Sequence, residues 1–487
     1  RINHFKLKKM KKSVLAIILA FFATSLSFAS NSFGDPPNII WNIVHGTVNE
    51  DYIQDIVADD NFVYVTGLTS SGVDFDFLIS CYDSDGNLQW EKFYDSGYND
   101  EAYSIAMDEN FIYVTGLSHN GTNSDFRTIC YDKEGNLQWN KGYDAGNTET
   151  AYCVAVDENS VYVTGVSYYG TDSDFRTICY DKEGHLQWEK VYDSGSNDES
   201  HSVAVDDNFI YVTGFSYNGF DRDFRTICYD KDANLQWNKV YDAGNTESAN
   251  CIAVDENLVY ITGYSTTGTN SNFMTLSYDK EGHLEWIMFY DTSNTDIAMG
   301  VAIDDNFVYV TGFSDNGIDY DFMTICYDKE GLLQWNKAYD SGESDCSMSV
   351  AVDNLGYLYV TGYFSPWLNT DYRIIKYDKT VGIDEEIEKP IFSLSQNTPN
   401  PFSTSTKILF SIPPNQTNLN ERIQIEIYNI QGQPIRELEF IPSRSGQDEA
   451  IWDGKDENGN QQPNGIYLYQ LKMNEKTIET KRMILSR

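Results

Sequence analysis

A self-similar unit of 49 residues, seven copies of a Tyr-Val-Thr-Gly element and seven equally spaced tryptophans predict an all-β chain. The expected fold is a seven-bladed β-propeller with four-stranded blades, followed by a small Ig-like β-sandwich. The tetrapeptide, once Tyr-Ile-Thr-Gly, ends at Gly67, Gly116, Gly165, Gly214, Gly263, Gly312 and Gly362. The tryptophans are Trp41, Trp90, Trp139, Trp188, Trp237, Trp286 and Trp335. The ends of the repeat region supply a third observation. Trp41 belongs to a fourth strand that precedes any complete first strand, and the last repeat stops after a third strand at 371–378. The N-terminal strand should therefore lie beside the strand near Tyr377 and close the ring, which removes the open sheet edges that invite aggregation.

Each unit reads as four short strands. In the unit beginning at Ser104, Ser104 to Asp108 is the first strand and Asp108-Glu109-Asn110 a tight turn. Phe111 to Leu117, rich in β-branched and aromatic residues, is the second. The polar loop Ser118 to Asp125 leads to a third strand, Phe126 to Tyr131. Asp132-Lys133-Glu134-Gly135 is a hairpin turn with glycine where a positive φ is wanted, and Leu137 to Tyr143 is the fourth strand. Asp144 to Ala151 returns to the next unit. Apolar residues at both parities suit sheets packed on both faces. The recurring Ala106, Ala155, Ala204, Ala253, Ala302 and Ala351 suit an innermost strand, where blades converge.

Before the repeats, a lysine-rich start, the apolar run Val14 to Leu26 and Ser27-Phe28-Ala29-Ser30 describe a secretory signal peptide at 1–29. Met10-Lys11-Lys12 opens the usual charged region, so residues 1–9 read as an upstream extension. The apolar run is too short to span a bilayer, and no transmembrane segment is expected in the mature protein. The formal net charge of −40 repels phosphate backbones and argues against nucleic-acid partners. Eight cysteines in an exported chain invite disulfides, but Cys81, Cys130, Cys179, Cys228 and Cys326 are repeat-equivalent. Blades pack about 10 Å apart, too far for a bridge between equivalent positions, so these cysteines read as small buried hydrophobes. Cys153 and Cys251 are likewise equivalent, two blades apart, and Cys346 has no obvious partner.

The repeats end near Lys379, the acidic stretch 381–391 is a linker, and composition then changes. Short alternating segments separated by turn signals, among them Lys407 to Ile412 and Ile423 to Tyr428, indicate the sandwich over 392–487. Asp453-Gly454-Lys455-Asp456-Glu457-Asn458-Gly459 lacks the alternating ligands and distal glutamate of a calcium loop and reads as a turn.

Two resemblances rest on these residues. The Tyr-Val-Thr-Gly strand, the Asp-Phe-x-Thr-Ile-Cys-Tyr-Asp strand and the Gly-Asn-Leu-Gln-Trp strand make 39–380 similar to the seven-bladed β-propeller repeat family of bacterial secreted proteins. That resemblance implies a fold and an exported location, and no reaction. The ordered motifs Asn-x-Pro-Asn-Pro-Phe, Tyr-Asn-Ile-x-Gly, Trp-Asp-Gly-Lys-Asp and Asn-Gly-Ile-Tyr-Leu-Tyr make 392–487 similar to the type A sorting domain of the type IX secretion system of Bacteroidetes and relatives. It implies recognition by that machinery at the outer membrane, followed by release or attachment at the cell surface.

No catalytic set emerges. His45, His119, His185, His201 and His283 show no metal-ligand spacing. Asp108, Asp157, Asp206, Asp255 and Asp304 sit before tight turns and read as acceptors of backbone N–H groups. Arg127, Arg176 and Arg225 on third strands read as partners of Asp125, Asp174 and Asp223 in ion pairs at the blade edge. The expectation is a non-enzyme without cofactor or metal site, acting as a monomeric secreted or surface-displayed binding module. The short turns share one face, which leaves the long loops on the other, where function tends to sit. The candidate ligand-binding residues there are Tyr168, Tyr169, Tyr217, Phe220 and Trp367, for a glycan or protein ligand. The alternatives are an extracellular polysaccharide hydrolase or lyase, or a structural spacer of a surface adhesin. The hydrolase reading needs atypical residues converging at the axis, and the units read as nearly uniform.

Overall fold

The computed structural model describes residues 36–46, 49–170, 172–292, 294–365, 370–378, 393–394, 397, 399–411, 423–429, 433–439, 447–473 and 476–487. The expected signal peptide, the linker and Trp367 lie outside the described residues. The chain divides into two compact units, 1–380 and 381–487.

The first unit holds seven four-stranded antiparallel sheets. In the second blade the strands are Asp100–Met107, Phe111–His119, Ser124–Asp132 and Leu137–Tyr143, paired in chain order. The seventh blade takes Ser344–Val352, Leu358–Ser365 and Asp371–Tyr377 from the end of the repeats and Ile39–His45 from their start. Ile39 faces Tyr377 and Trp41 faces Lys376, so the expected closure is present. Trp41 behaves as the other tryptophans do. Its indole N–H donates to the carbonyl of Ser84 in the next blade at 3.1 Å, as Trp90 donates to Lys133 and Trp139 to Lys182.

Consecutive sheets meet through apolar clusters. Tyr64, Phe77, Ile79 and Cys81 of the first blade interleave with Ala102, Ile105, Ile112, Val114 and Ile129 of the second. All eight cysteines are free thiols, and burial pushes the Cys81 thiol up to about 12. The turn aspartates do more than the sequence reading assigned them. Asp108 accepts the N–H groups of Asn110 and Phe111 on one oxygen, and the Tyr113 hydroxyl and the Lys182 ammonium of the next blade on the other. Asp59–Lys133, Asp157–Lys231, Asp206–Lys280 and Asp255–Lys329 repeat that inter-blade link at 2.7–3.1 Å.

Two expectations need correction. First strands begin four residues earlier than Ser104, at Asp100, and the next one begins at Thr148, inside the segment read as a connecting loop. The cause is a β-bulge. Ala102 pairs with Gly116 and Ser104 with Thr115, which leaves Tyr103 without a cross-strand partner and breaks the alternation that marks a strand. The same register shift occurs in every blade, at Gln54, Tyr152, His201, Asn250, Met299 and Met348. The arginines also differ from expectation. Arg176 donates to the hydroxyls of Tyr143 and Tyr169 at 2.8 and 2.7 Å and lies 3.6 Å from Glu189, with no bond to Asp174. Arg127 and Arg225 lie over the rings of Tyr94 and Tyr192 of the preceding blade. A planar guanidinium on an aromatic face suits a buried junction better than an exposed ion pair.

The second unit has a three-stranded sheet, Ser393–Leu394, Thr406–Ser411 and Gln447–Trp452, and a four-stranded one ordered Pro434–Glu439, Ile423–Asn429, Gly465–Met473 and Lys476–Leu485. Phe402, Ile408, Phe410, Ile425, Trp452, Tyr469, Leu471, Met483 and Leu485 fill its core. Asp456 accepts the N–H groups of Asn458 and Asn460 before Gly459 at φ 79°, the expected turn.

Candidate functional site

The bulge carries the site. A regular strand sends adjacent residues to opposite faces, but here the bulged residue and its successor both line the central channel. Seven first strands thus deliver two rings to one cavity of about 260 Å³. The first ring is Gln54, Tyr103, Tyr152, His201, Asn250, Met299 and Met348; the second is Asp55, Ser104, Cys153, Ser202, Cys251, Gly300 and Ser349. Below them toward the short-turn face the channel is lined by residues with small or aliphatic side chains such as Val57, Ala106, Ala155 and Ala302.

The second ring is structural. At the axis the strands of adjacent blades do not pair, so side chains bridge them. Asp55 accepts from the Ser349 hydroxyl at 2.6 Å, the Ser104 hydroxyl at 2.8 Å, and the N–H groups of Ile105 and Ile56, both at 2.9 Å. Enclosure pushes the Asp55 carboxyl up, and these four donors oppose that shift. Ser104 also accepts the N–H of Val154, and Ser202 that of Ile252, each at 3.3 Å. The Cys153 thiol lies 3.7 Å from the Val203 carbonyl. The polar atoms of this ring are thereby committed to holding the blades together.

The first ring is different. Its residues are large and of five types, whereas those of the second ring are mostly small. Tyr103, Tyr152 and His201 form a continuous aromatic wall, with ring centroids 5.5 and 5.6 Å apart, and His201 continues edge-on to Phe215 at 5.6 Å. Glu101 accepts the Tyr103 hydroxyl at 2.5 Å, and the His201 Nδ1 meets the Ala249 carbonyl at 2.8 Å. Asn250 donates to the Ala298 carbonyl at 2.8 Å, and Met299 and Met348 complete the opposite arc. An aromatic wall facing amides and thioethers offers stacking on one side and hydrogen bonds on the other.

The structure places one of the residues expected from sequence against this ring and a second in a groove beside it. Tyr168 lies half-buried, and its hydroxyl interacts with that of Tyr152; burial pushes the Tyr168 phenol up. Tyr217 lines a separate groove of about 190 Å³ with Asn197, Glu199, Phe215 and Arg222, and the Phe215 ring is the one that His201 meets edge-on. The Arg222 guanidinium lies 4.1 Å from the centroid of Phe215. Two others stand apart. Tyr169 is held on the blade edge by Arg176, and Phe220 is 92 % exposed at a loop tip. Val73 and Ile318 occupy the same loop position in other blades and are equally exposed. The expected uniformity of the units therefore fails at the axis. Aligning the repeats reveals a column of large, dissimilar residues between two columns of mostly small ones, the signal that could have found the ring.

In the second unit the motifs around Phe402, Gly454 and Asn464 meet the C-terminal strand. Phe402 exchanges backbone bonds with Ile484 and Ser486, and Asn400 accepts the N–H of Ile484. The Arg487 guanidinium donates to the carbonyls of Gly454, Gln462 and Ser403.

Residues 402–477 match the family model described as FlgD Ig-like domain. No curated protein matches the chain. Among solved structures, the phage phi92 endosialidase is 10 % identical over 94 % of this chain and 88 % of its own, with a TM-score of 0.43. The Sqt1 protein of Chaetomium thermophilum is 11 % identical over 70 % of this chain and all of its own, with a TM-score of 0.41. The subtype N10 neuraminidase-like protein of A/little yellow-shouldered bat/Guatemala is 11 % identical over 70 % and 100 %, with a TM-score of 0.40. Likeness at this level bears on the fold alone.

Proposed function

We propose that the protein is an exported or surface-displayed binding module whose ligand enters from the long-loop face and is held at the channel mouth by the first ring. The observation that carries this reading is the chemical asymmetry of that ring. A seven-fold scaffold needs one small residue at each axial position, as the second ring supplies; the first ring instead holds one glutamine, two tyrosines, a histidine, an asparagine and two methionines, of which His201 and Asn250 also bond the backbone of the next blade. The aromatic arc and the adjoining groove to Tyr217 suit a short oligosaccharide, which stacks a sugar face on the rings and hydrogen-bonds to the amides.

Export rests on the signal-peptide pattern at 1–29 and on the resemblance of 392–487 to the type IX sorting domain. The type IX machinery is then the partner of the second unit. The hydrolase alternative gains one point from the structure, since dissimilar residues do converge at the axis. Binding is preferred because Asp55, the carboxylate of the second ring, is committed to four donors. A glycan array probed with the mature chain, followed by product analysis of every bound glycan, tests both. Binding without turnover is expected. Turnover of a bound glycan would replace this reading with the hydrolase one.

A further inference from the structure

The junction between the first and second blades gathers three carboxylates from three different segments. Asp76 comes from the third strand of the first blade, Phe75–Asp83; Asp95 from the loop that follows the fourth strand; Asp100 opens the first strand of the second blade. One oxygen from each lies within 4.8 Å of the others. Asp100 is 0 % exposed. Its Oδ2 accepts the N–H of Ser96 at 2.6 Å, whereas its Oδ1 is buried with no hydrogen-bond partner. The Oδ1 of Asp76 is buried and unpartnered as well. Asp95 is exposed and uses its Oδ1 to accept the N–H of Gly97 at 2.6 Å.

Orphaned anionic oxygens inside a fold are costly unless something positive meets them. At the neighbouring junctions an arginine stands nearby, although Asp125 Oδ1, Glu149 Oε2 and Asp174 Oδ1 make no hydrogen bond there either. Asp125, Asp144 and Glu149 form the same cluster, and there Arg127 lies close enough to stabilise the Asp125 carboxylate. Asp174 feels the charge of Arg176 without a bond to it. In the first blade the corresponding residue is Leu78, and none of the three carboxylates is in an ion pair among the described residues.

We propose that Asp76, Asp95 and Asp100 form a calcium site that clamps the first blade to the second. A hard divalent cation takes six to eight oxygen ligands in flexible geometry, and three carboxylates from independent segments, completed by water, supply such a set. Magnesium is the poorer fit, because it holds its waters and demands a tight octahedron. The cation does for this junction what an arginine does for its neighbours, and a metal site thereby stands where the sequence suggested none.

The test is calorimetric titration of the chelator-treated mature chain with calcium chloride at neutral pH. One site is expected, with a dissociation constant on the order of 10⁻⁴–10⁻³ M, the range of extracellular modules. Asp95→Asn and Asp100→Asn should each weaken it at least tenfold. Leu78→Arg, which copies the neighbouring junctions and leaves all three carboxylates in place, should abolish it. Glu109→Gln, which removes one exposed charge elsewhere, should leave it unchanged. Absence of binding in the unaltered protein would overturn the proposal. So would binding that survives Asp95→Asn and Leu78→Arg, two variants that decide the matter even if Asp100→Asn fails to fold.

Discussion

Gly116 faces the bulge of its neighbouring strand so closely that a Cβ on it would lie 1.9 Å from the carbonyl oxygen of Glu101. The recurring Tyr-Val-Thr-Gly element thus ends in glycine because the bulged strand leaves no room for a side chain. Gly67, Gly165, Gly214, Gly263, Gly312 and Gly362 stand in the same relation to their own first strands. The obstacle is backbone, which cannot rotate aside. Gly116→Ala should therefore destabilise the propeller by about 3 kcal/mol, the upper part of the usual overpacking range. Chemical denaturation measures this, and a cost below about 0.5 kcal/mol would mean that the bulge yields easily.

Ring closure makes a quantitative claim about Trp41. It packs against Tyr359 at 6.0 Å and bonds to Ser84, much as Trp139 packs against Tyr113 at 5.9 Å and bonds to Lys182. Trp41→Ala and Trp139→Ala should cost similar amounts, about 3 kcal/mol each, in equilibrium unfolding. A Trp41→Ala change that costs almost nothing would show that the N-terminal strand is a loose end.

The Lys182 ammonium of the third blade adds to stability in a way that depends on acid. Burial works against the Asp108 carboxylate, but Lys182 and the N–H groups of Asn110 and Phe111 hold it below its ordinary value. That contribution is present above the ordinary carboxylate value and is lost as pH falls through the lowered one. Lys182→Met should lower stability at neutral pH by about 1 kcal/mol, and the difference from the unaltered protein should shrink in strong acid.

Other carboxyls work in the opposite sense. Burial and acidic neighbours push Asp76 and Asp174 up to about 6, and burial pushes Glu247 up to about 7. A carboxyl raised on folding contributes stability below its ordinary value and loses it as pH rises through the raised one. The melting temperature measured without calcium should therefore be highest between roughly pH 4 and 6 and fall toward pH 8. Asp174→Asn should flatten that fall. A melting temperature that climbs steadily from pH 5 to 8 would contradict the assignment.

The blades, their number and the closing strand were legible because each repeats a pattern set by packing. The Trp41 strand could be placed beside the strand near Tyr377 from the sequence, since a ring needs as many fourth strands as first. The axial ring was not legible in the same way. Residues 103 and 104 look like opposite faces of one strand, and only the bulge turns both toward the channel. The bulge also hid the true start of the first strands, since Asp100 and Glu101 read as a polar loop. Arg176 misled for a related reason. Its spacing from Asp174 suggested a pair on one face, but Tyr143 of the adjacent blade offers a hydroxyl and a ring at closer quarters. Contacts between blades are invisible to arguments made within one. Tyr168 and Tyr217 stand out in the sequence as long-loop aromatics; the structure places Tyr168 against Tyr152 and Tyr217 in the groove beside Phe215.

The central claim is that ligand binding belongs to the first ring at the channel mouth. A glycan array comparing the mature protein with Tyr152→Ala, His201→Ala and Phe220→Ala tests it most directly, with melting temperatures recorded to exclude unfolding. The account predicts binding that falls at least tenfold in the Tyr152 and His201 variants and is unchanged in the Phe220 variant. Binding retained in the first two and lost in the third would place recognition on the loop tips and contradict it.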